Sequence, residues 1–287
     1  MNEERLETLL SVYRYRGAMP DFRNVVPIRR RRSAWPWLAA AAAVLIAAST
    51  ILLRPQPNEW RVTTGFPRLL RVGDVIDKRV RLQSRAVGVI DVASDTTLRL
   101  IGNNRFELIS GTIHAKTTSP PGIFIVDTPR ASAVDLGCEY TLAISPGGGG
   151  ILRVMSGWVG LNSWDQSLVP QGAMATISSD GHLSPPIFED ASPIFQDAIR
   201  RGDLKTALPL ARRRDALTLI NLFRFATPEE RLIVYDRLNT LVPAPPAVTR
   251  DAIRNWQALT VDPWWPDVLK ASGVNAIKKK KRMLPPT

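Results

Sequence analysis

The 287 residues hold one cysteine and two histidines, and this scarcity narrows the chemistry at once. A lone Cys138 excludes an intrachain disulfide framework and any multi-cysteine zinc site. His114 and His182 stand far apart with no His-Glu-x-x-His between them, and neither is nominated as a metal ligand. A Gly-x-Ser-x-Gly nucleophile elbow is missing. The four glycines at 147–150 are not followed by Gly-Lys-Ser/Thr and a helix, so they are not a phosphate loop. Acidic residues are scattered, with no pair to place across a cleft. No catalytic residue, metal ligand or cofactor is assigned, and the expectation is a protein that is not an enzyme.

Basic stripes through the body are lacking too, despite a net charge of +12. Residues 1–33 contribute +4 and the run Lys278–Arg282 contributes +5, which leaves +3 for everything between. Charge confined to two flanks, without interleaved aromatics, argues against a nucleic-acid partner. At 45% hydrophobic and 22% charged, most of the chain is expected to be globular.

What is present begins with "AWPWLAAAAAVLIAASTILL", residues 34–53, twenty residues without a charge. That length matches the hydrocarbon core of a bilayer, and Trp35 and Trp37 suit its headgroup layer. Arg29–Arg32 precede it, so the expectation is a single-pass helix in a bacterial inner membrane. Its N-terminus would be cytoplasmic and residues 54–287 periplasmic. A cleaved signal peptide is the alternative, with an unusually long charged region. Before it, Leu6, Leu9, Leu10 and Tyr13 fall at helical spacing and form one apolar stripe. A helix so short is marginal alone, so the stripe is expected to be covered, either by anionic lipid or by a groove on a cytoplasmic protein.

Beyond the span the pattern divides into a linker (54–59), a strand-rich region (60–186), a helical region (187–276) and a basic tail (277–287) expected to be disordered. The fold class expected is therefore multidomain α+β: one transmembrane helix, an all-β antiparallel sandwich or roll, and a small helical C-terminal domain. In the strand-rich region, even positions from Val134 to Ile144 are apolar or aromatic while odd ones are small or polar. Period-2 alternation predicts one strand with a buried face. Cys138 lies on that face, where a free thiol behaves as a small hydrophobe; a nucleophile would need a lowered pKa and access. "LISGTIHA" (108–115) and "VMSGWVGL" (154–161) echo each other, and in both a Ser-Gly pair interrupts the strand. Gly111 and Gly157 are expected to sit at bulges that need positive φ. In the helical region, Gly202 and Asp203 mark a stop and a cap, and Thr227 with Glu230 forms a capping box.

The segments "ISGTIHA", "FIVDTPRASAVDLGCEYTL" and "RVMSGWVGL" resemble the FecR-type periplasmic domain of bacterial transmembrane sigma-factor regulators. Phe124, Val126, Thr128 and Pro129 match its Phe-x-Val-x-Thr-Pro element. Gly137, Tyr140 and Leu142 match the next strand, with Cys138 where threonine is usual, and Val154, Gly157 and Val159 match the last. The resemblance covers about 85–180. It implies a membrane-anchored signal transducer that binds an extracytoplasmic-function sigma factor through residues 1–33 and meets a periplasmic or outer-membrane partner. An envelope scaffold or carbohydrate-binding module is the alternative, and an envelope hydrolase the third.

Overall fold

The structure, a computed structural model, describes residues 59–255 and 258–275. In chain order its strands are β1 (Arg61–Val62), β2 (Arg68–Leu69), β3 (Val75–Ile76), β4 (Val80–Ser84), β5 (Gly88–Val92), β6 (Thr97–Gly102), β7 (Arg105–Thr117), β8 (Ile125–Asp127), β9 (Ser132–Asp135), β10 (Glu139–Ile144), β11 (Gly150–Ser156), β12 (Trp158–Asn162), β13 (Gln166–Pro170), β14 (Ala173–Ile177) and β15 (Ile187–Phe188). They form two arms that share β7. The first arm runs β2-β1-β4-β5-β7-β10-β11-β14-β15 and is antiparallel throughout. The second runs β3-β6-β7-β8-β9-β12-β13, antiparallel except for the parallel β7–β8 pair.

Alternation explains which residues turn inward. In β4 Val80 and Leu82 are buried while Arg81 is exposed, and in β10 Tyr140, Leu142 and Ile144 are buried. Residues from both arms join one core, where the Trp60 and Phe106 rings meet edge to face at 5.1 Å and Phe124 lies 6.1 Å from Phe106.

Four of the corners at which the chain passes between the arms pack in pairs. At Gly111 β7 crosses from the second arm to the first; φ is +96°, and a Cβ would lie 2.4 Å from Thr96 Cα. Thr96 belongs to the opposite crossing, from β5 to β6. Its hydroxyl donates to the Thr112 carbonyl (3.1 Å) and accepts from the Thr112 N–H (3.0 Å). At Gly157 the chain crosses from β11 to β12; φ is +72°, and a Cβ would lie 2.2 Å from the Gly137 carbonyl oxygen. Gly137, itself at φ +88°, belongs to the crossing from β9 to β10. Only glycine combines that backbone with so close an approach.

This second crossing corrects the reading of 134–144 as one strand. The run is two strands in different arms, and the inward phase changes between them. In β9 the buried positions are Ala133 and Asp135, and in β10 they are Tyr140, Leu142 and Ile144. Alternation had placed Asp135 on the solvent side; it is fully buried instead.

Helices follow the strands: α1 (Pro193–Arg201), α2 (Leu204–Leu210), α3 (Ala216–Leu222), α4 (Pro228–Leu241), α5 (Arg250–Arg254) and α6 (Trp265–Ser272), with 3-10 turns at Arg213–Asp215 and Ala258–Trp264. Local chemistry sets their ends. Asp203 accepts from the Thr206 N–H (3.1 Å) after Gly202 stops α1, and Thr227 and Glu230 cap α4 reciprocally. The buried side chains of α3 share the core of the strands, and the Thr218 hydroxyl donates to the Pro186 carbonyl at 2.8 Å.

The expected fold class is corrected accordingly. The described part is mostly antiparallel sheet with a few helices, and these strands and helices belong to one compact unit. Among the described residues no helix is long and apolar enough to cross a membrane, so the single transmembrane helix finds no support. The longest, α4, has 14 residues and carries Glu229, Glu230, Arg231, Asp236 and Arg237. At 1.5 Å per residue it falls short of a hydrocarbon core of roughly 30 Å. The stretch 34–53 itself lies outside the described residues.

Candidate functional site

The corner at Gly157 opens into a cleft of about 780 Å³. Leu136, Gly137, Gly157 and Trp158 line it from the two crossings, and Thr118–Pro121 from the loop after β7. Gln171, Arg214 and Gly273–Asn275 complete it. Strands, a 3-10 turn and the segment after α6 therefore meet here. The Trp158 indole N–H donates to the Asn275 carbonyl at 2.9 Å and pins that last segment to the corner.

Behind the lining lies a buried polar cluster. Asp135 accepts from the Thr117 hydroxyl (2.5 Å), from the Gly137 N–H (3.3 Å) and from the Cys138 thiol. Burial raises the Asp135 pKa above the ordinary carboxylate value against these donors. Burial, with the Asp135 charge beside it, pushes the Cys138 thiol far up. At 3% exposure and with a raised pKa, Cys138 lacks both requirements of a nucleophile, access and thiolate character.

Among the described residues that line it, Arg214 alone is charged. Its guanidinium carbon stacks 4.5 Å over the Phe188 ring. Its buried Nε makes no hydrogen bond, although an Asp190 oxygen lies 3.5 Å away. Asp190 is engaged by Arg212, which donates to its carboxylate and its carbonyl at 3.0 Å each and also grips the buried Asp215. Ser119, 5% exposed, likewise has a hydroxyl without a partner.

The residues singled out by sequence divide sharply. Gly137, Cys138 and Gly157 come together at this corner, and both glycines line the cleft. Gly111 sits at the other corner. Phe124, Val126, Tyr140 and Val159 are core residues, each fully buried. Thr128 closes its turn by donating to the Ala131 carbonyl (2.8 Å) and accepting the Ala131 N–H (2.9 Å), with Pro129 inside the turn. Leu6, Leu9, Leu10 and Tyr13 lie outside the described residues. His114 bridges Thr141 (3.3 Å) and Glu139 (3.2 Å) on the first arm, and His182 pairs with Asp165 at 3.0 Å. Among the described residues no group of three or more His, Cys, Asp or Glu side chains is placed to hold a metal. Arg214, Ser119, Gln171 and Trp158 had not been singled out as site residues. The triplet Arg212–Arg214 was a visible basic cluster, but Ser119 and Gln171 carry no sequence signal.

No family model and no curated protein matches the chain. Among solved structures, two crystal structures of a protein described as a "putative anti-sigma factor" from Parabacteroides distasonis ATCC 8503, at 1.65 and 2.50 Å resolution, are similar to it. Each is 14% identical and covers 47% of this chain and 70% of that chain. The TM-scores are 0.31 and 0.30, a likeness too slight to carry an argument about this chain.

Proposed function

We propose that the chain is a regulator of the anti-sigma kind that works by protein–protein contact and not by catalysis. The observation that carries this reading is the cleft at the Gly157 corner. It joins strands to helices, presents one guanidinium with neutral polar and apolar side chains, and hides the single thiol behind its lining. A ligand seated there touches both structural halves, as a receiver of a partner segment requires. The sequence-level resemblance to FecR-type domains supplies the sigma factor as the partner to test, with the stripe Leu6, Leu9, Leu10 and Tyr13 as its contact.

The test uses the full chain as bait beside a Leu6→Asp, Leu10→Asp double variant in the native host, with mass spectrometry of captured proteins. Capture of a sigma factor by the unaltered chain and its loss in the variant is the expected result. A sigma factor retained by both, or by neither, rejects the reading.

One further observation favours a carbohydrate-binding module as the second reading. Trp164 is 83% exposed at the β12–β13 tip, which is held by Ser163 donating to the Gly181 carbonyl (2.6 Å) and by Asp165 accepting from His182 and the Leu183 N–H. A fixed, open indole is a platform for a sugar ring. Retention on insoluble envelope polysaccharide that disappears in Trp164→Ala would favour this reading over the first.

A further inference from the structure

We propose that the cleft at the Gly157 corner binds an acidic side chain of an extended peptide, with Arg214 as its carboxylate fork. The inference rests on the reading of the chain as a protein-contact module and names the chemistry of the segment it receives.

The guanidinium is positioned before any ligand arrives. Stacking on Phe188 fixes its plane, and one Asp190 oxygen stands 3.5 Å from its Nε while Arg212 holds the other Asp190 oxygen and the Asp190 carbonyl. Gly172, at φ +76°, lets the β13–β14 turn approach closely, since a Cβ there would stand 3.3 Å from the Arg214 terminal nitrogen. The buried Nε is left without a hydrogen bond. With the Nε turned to Asp190, the two terminal nitrogens of the planar fork remain to take a second carboxylate bidentately. The orphaned Ser119 hydroxyl adds a second donor on the same cleft. Buried polar groups without partners are uncommon in native proteins, and one lining a cavity points to a ligand.

The remaining lining explains why the carboxylate belongs to a peptide. Pro120, Pro121, Leu136, Trp158 and Val274 are apolar and would cover a chain flanking the acid, and Trp and Arg are the side chains that dominate protein contacts. A volume of 780 Å³ falls in the range of roughly 300–1,000 Å³ typical of ligand sites and far exceeds one carboxylate.

The measurement is fluorescence anisotropy of the full chain with a labelled hexapeptide of alternating leucine and glutamate, against its glutamine counterpart. The glutamate peptide is expected to bind at least about tenfold more tightly, and Arg214→Gln to remove about that factor. Arg214→Lys keeps the charge but not the fork and should recover only part of the loss. Ser119→Ala should weaken binding several-fold without lowering the melting temperature, and Arg213→Gln, an exposed neighbour, should change nothing. Melting curves establish that each variant is folded.

Equal affinity for the two peptides, no binding of either at millimolar concentration, or indifference to Arg214→Gln overturns the proposal. Succinate binding with the same Arg214 dependence while the peptide fails would assign the cleft to a free dicarboxylate, which also overturns it. Sigma-factor capture through residues 1–33 is measured separately. The loss of either result therefore leaves the other readable.

Discussion

The two pairs of corners use the same Ser-Gly device and come to different ends. At Gly111 the opposing crossing fills the space with Thr96, whose hydroxyl both donates to and accepts from Thr112. At Gly157 the opposing crossing presents a carbonyl and the Cys138 backbone, and its polar side chain, Asp135, is drawn inward beneath the turn. In the lining, the buried Ser119 hydroxyl and Arg214 Nε make no hydrogen bond. The first corner is tied by its own hydrogen bonds, whereas beside the second lie buried donors without a hydrogen bond. A repeated local motif thus marks where the chain must turn, and the residue packed against it decides whether the turn is only structural.

The largest expected effects test what the corners share. Gly111→Val and Gly157→Val each force a β-branched residue into positive φ and into backbone atoms less than 2.5 Å away, a cost of about 2–5 kcal/mol apiece. Limited proteolysis and urea melts should show both variants destabilised; tolerance at one corner alone would break the equivalence. Next in size is Thr96→Val, which removes both hydrogen bonds of the first corner and should cost about 1–3 kcal/mol by urea denaturation.

The pH dependence sharpens the difference. Burial raises the Asp135 pKa, so the native state holds that proton more tightly than the unfolded chain does. The contribution of Asp135 to stability is therefore greatest at acid pH. It declines as pH rises above the ordinary carboxylate value of 3.8, with a slope of at most about 1.4 kcal/mol per pH unit. Denaturation from pH 3 to 7 should show this component of the slope in the native sequence and not in Asp135→Asn; identical profiles would place the carboxyl in contact with solvent.

The smallest effect expected is at Cys138. A hydroxyl can still donate to Asp135, so Cys138→Ser should cost less than about 1 kcal/mol, while thiol labelling of the folded chain should be slow. Rapid labelling would contradict the burial of the corner.

Much of the architecture was legible. The caps at Asp203 and Thr227 and the positive φ of Gly111 and Gly157 follow from residues within a few positions of one another, because capping and turn chemistry act over one turn of backbone. Alternation placed Cys138, Tyr140, Leu142 and Ile144 correctly and failed at Asp135. Period 2 holds only while the chain stays in one arm, and Gly137 resets the phase.

The sequence by itself determined the strand-rich and helical regions, the local caps and the glycines that permit the corners, all properties of short segments. Tertiary structure alone decided that Gly157 would meet Gly137, that Asp135 would be buried, and that Ser119 and Arg214 would face one cleft with Trp158. Those relations depend on which distant strands pair and where the helices settle on them. Close approach, desolvation and an unsatisfied donor exist only once that packing has excluded water.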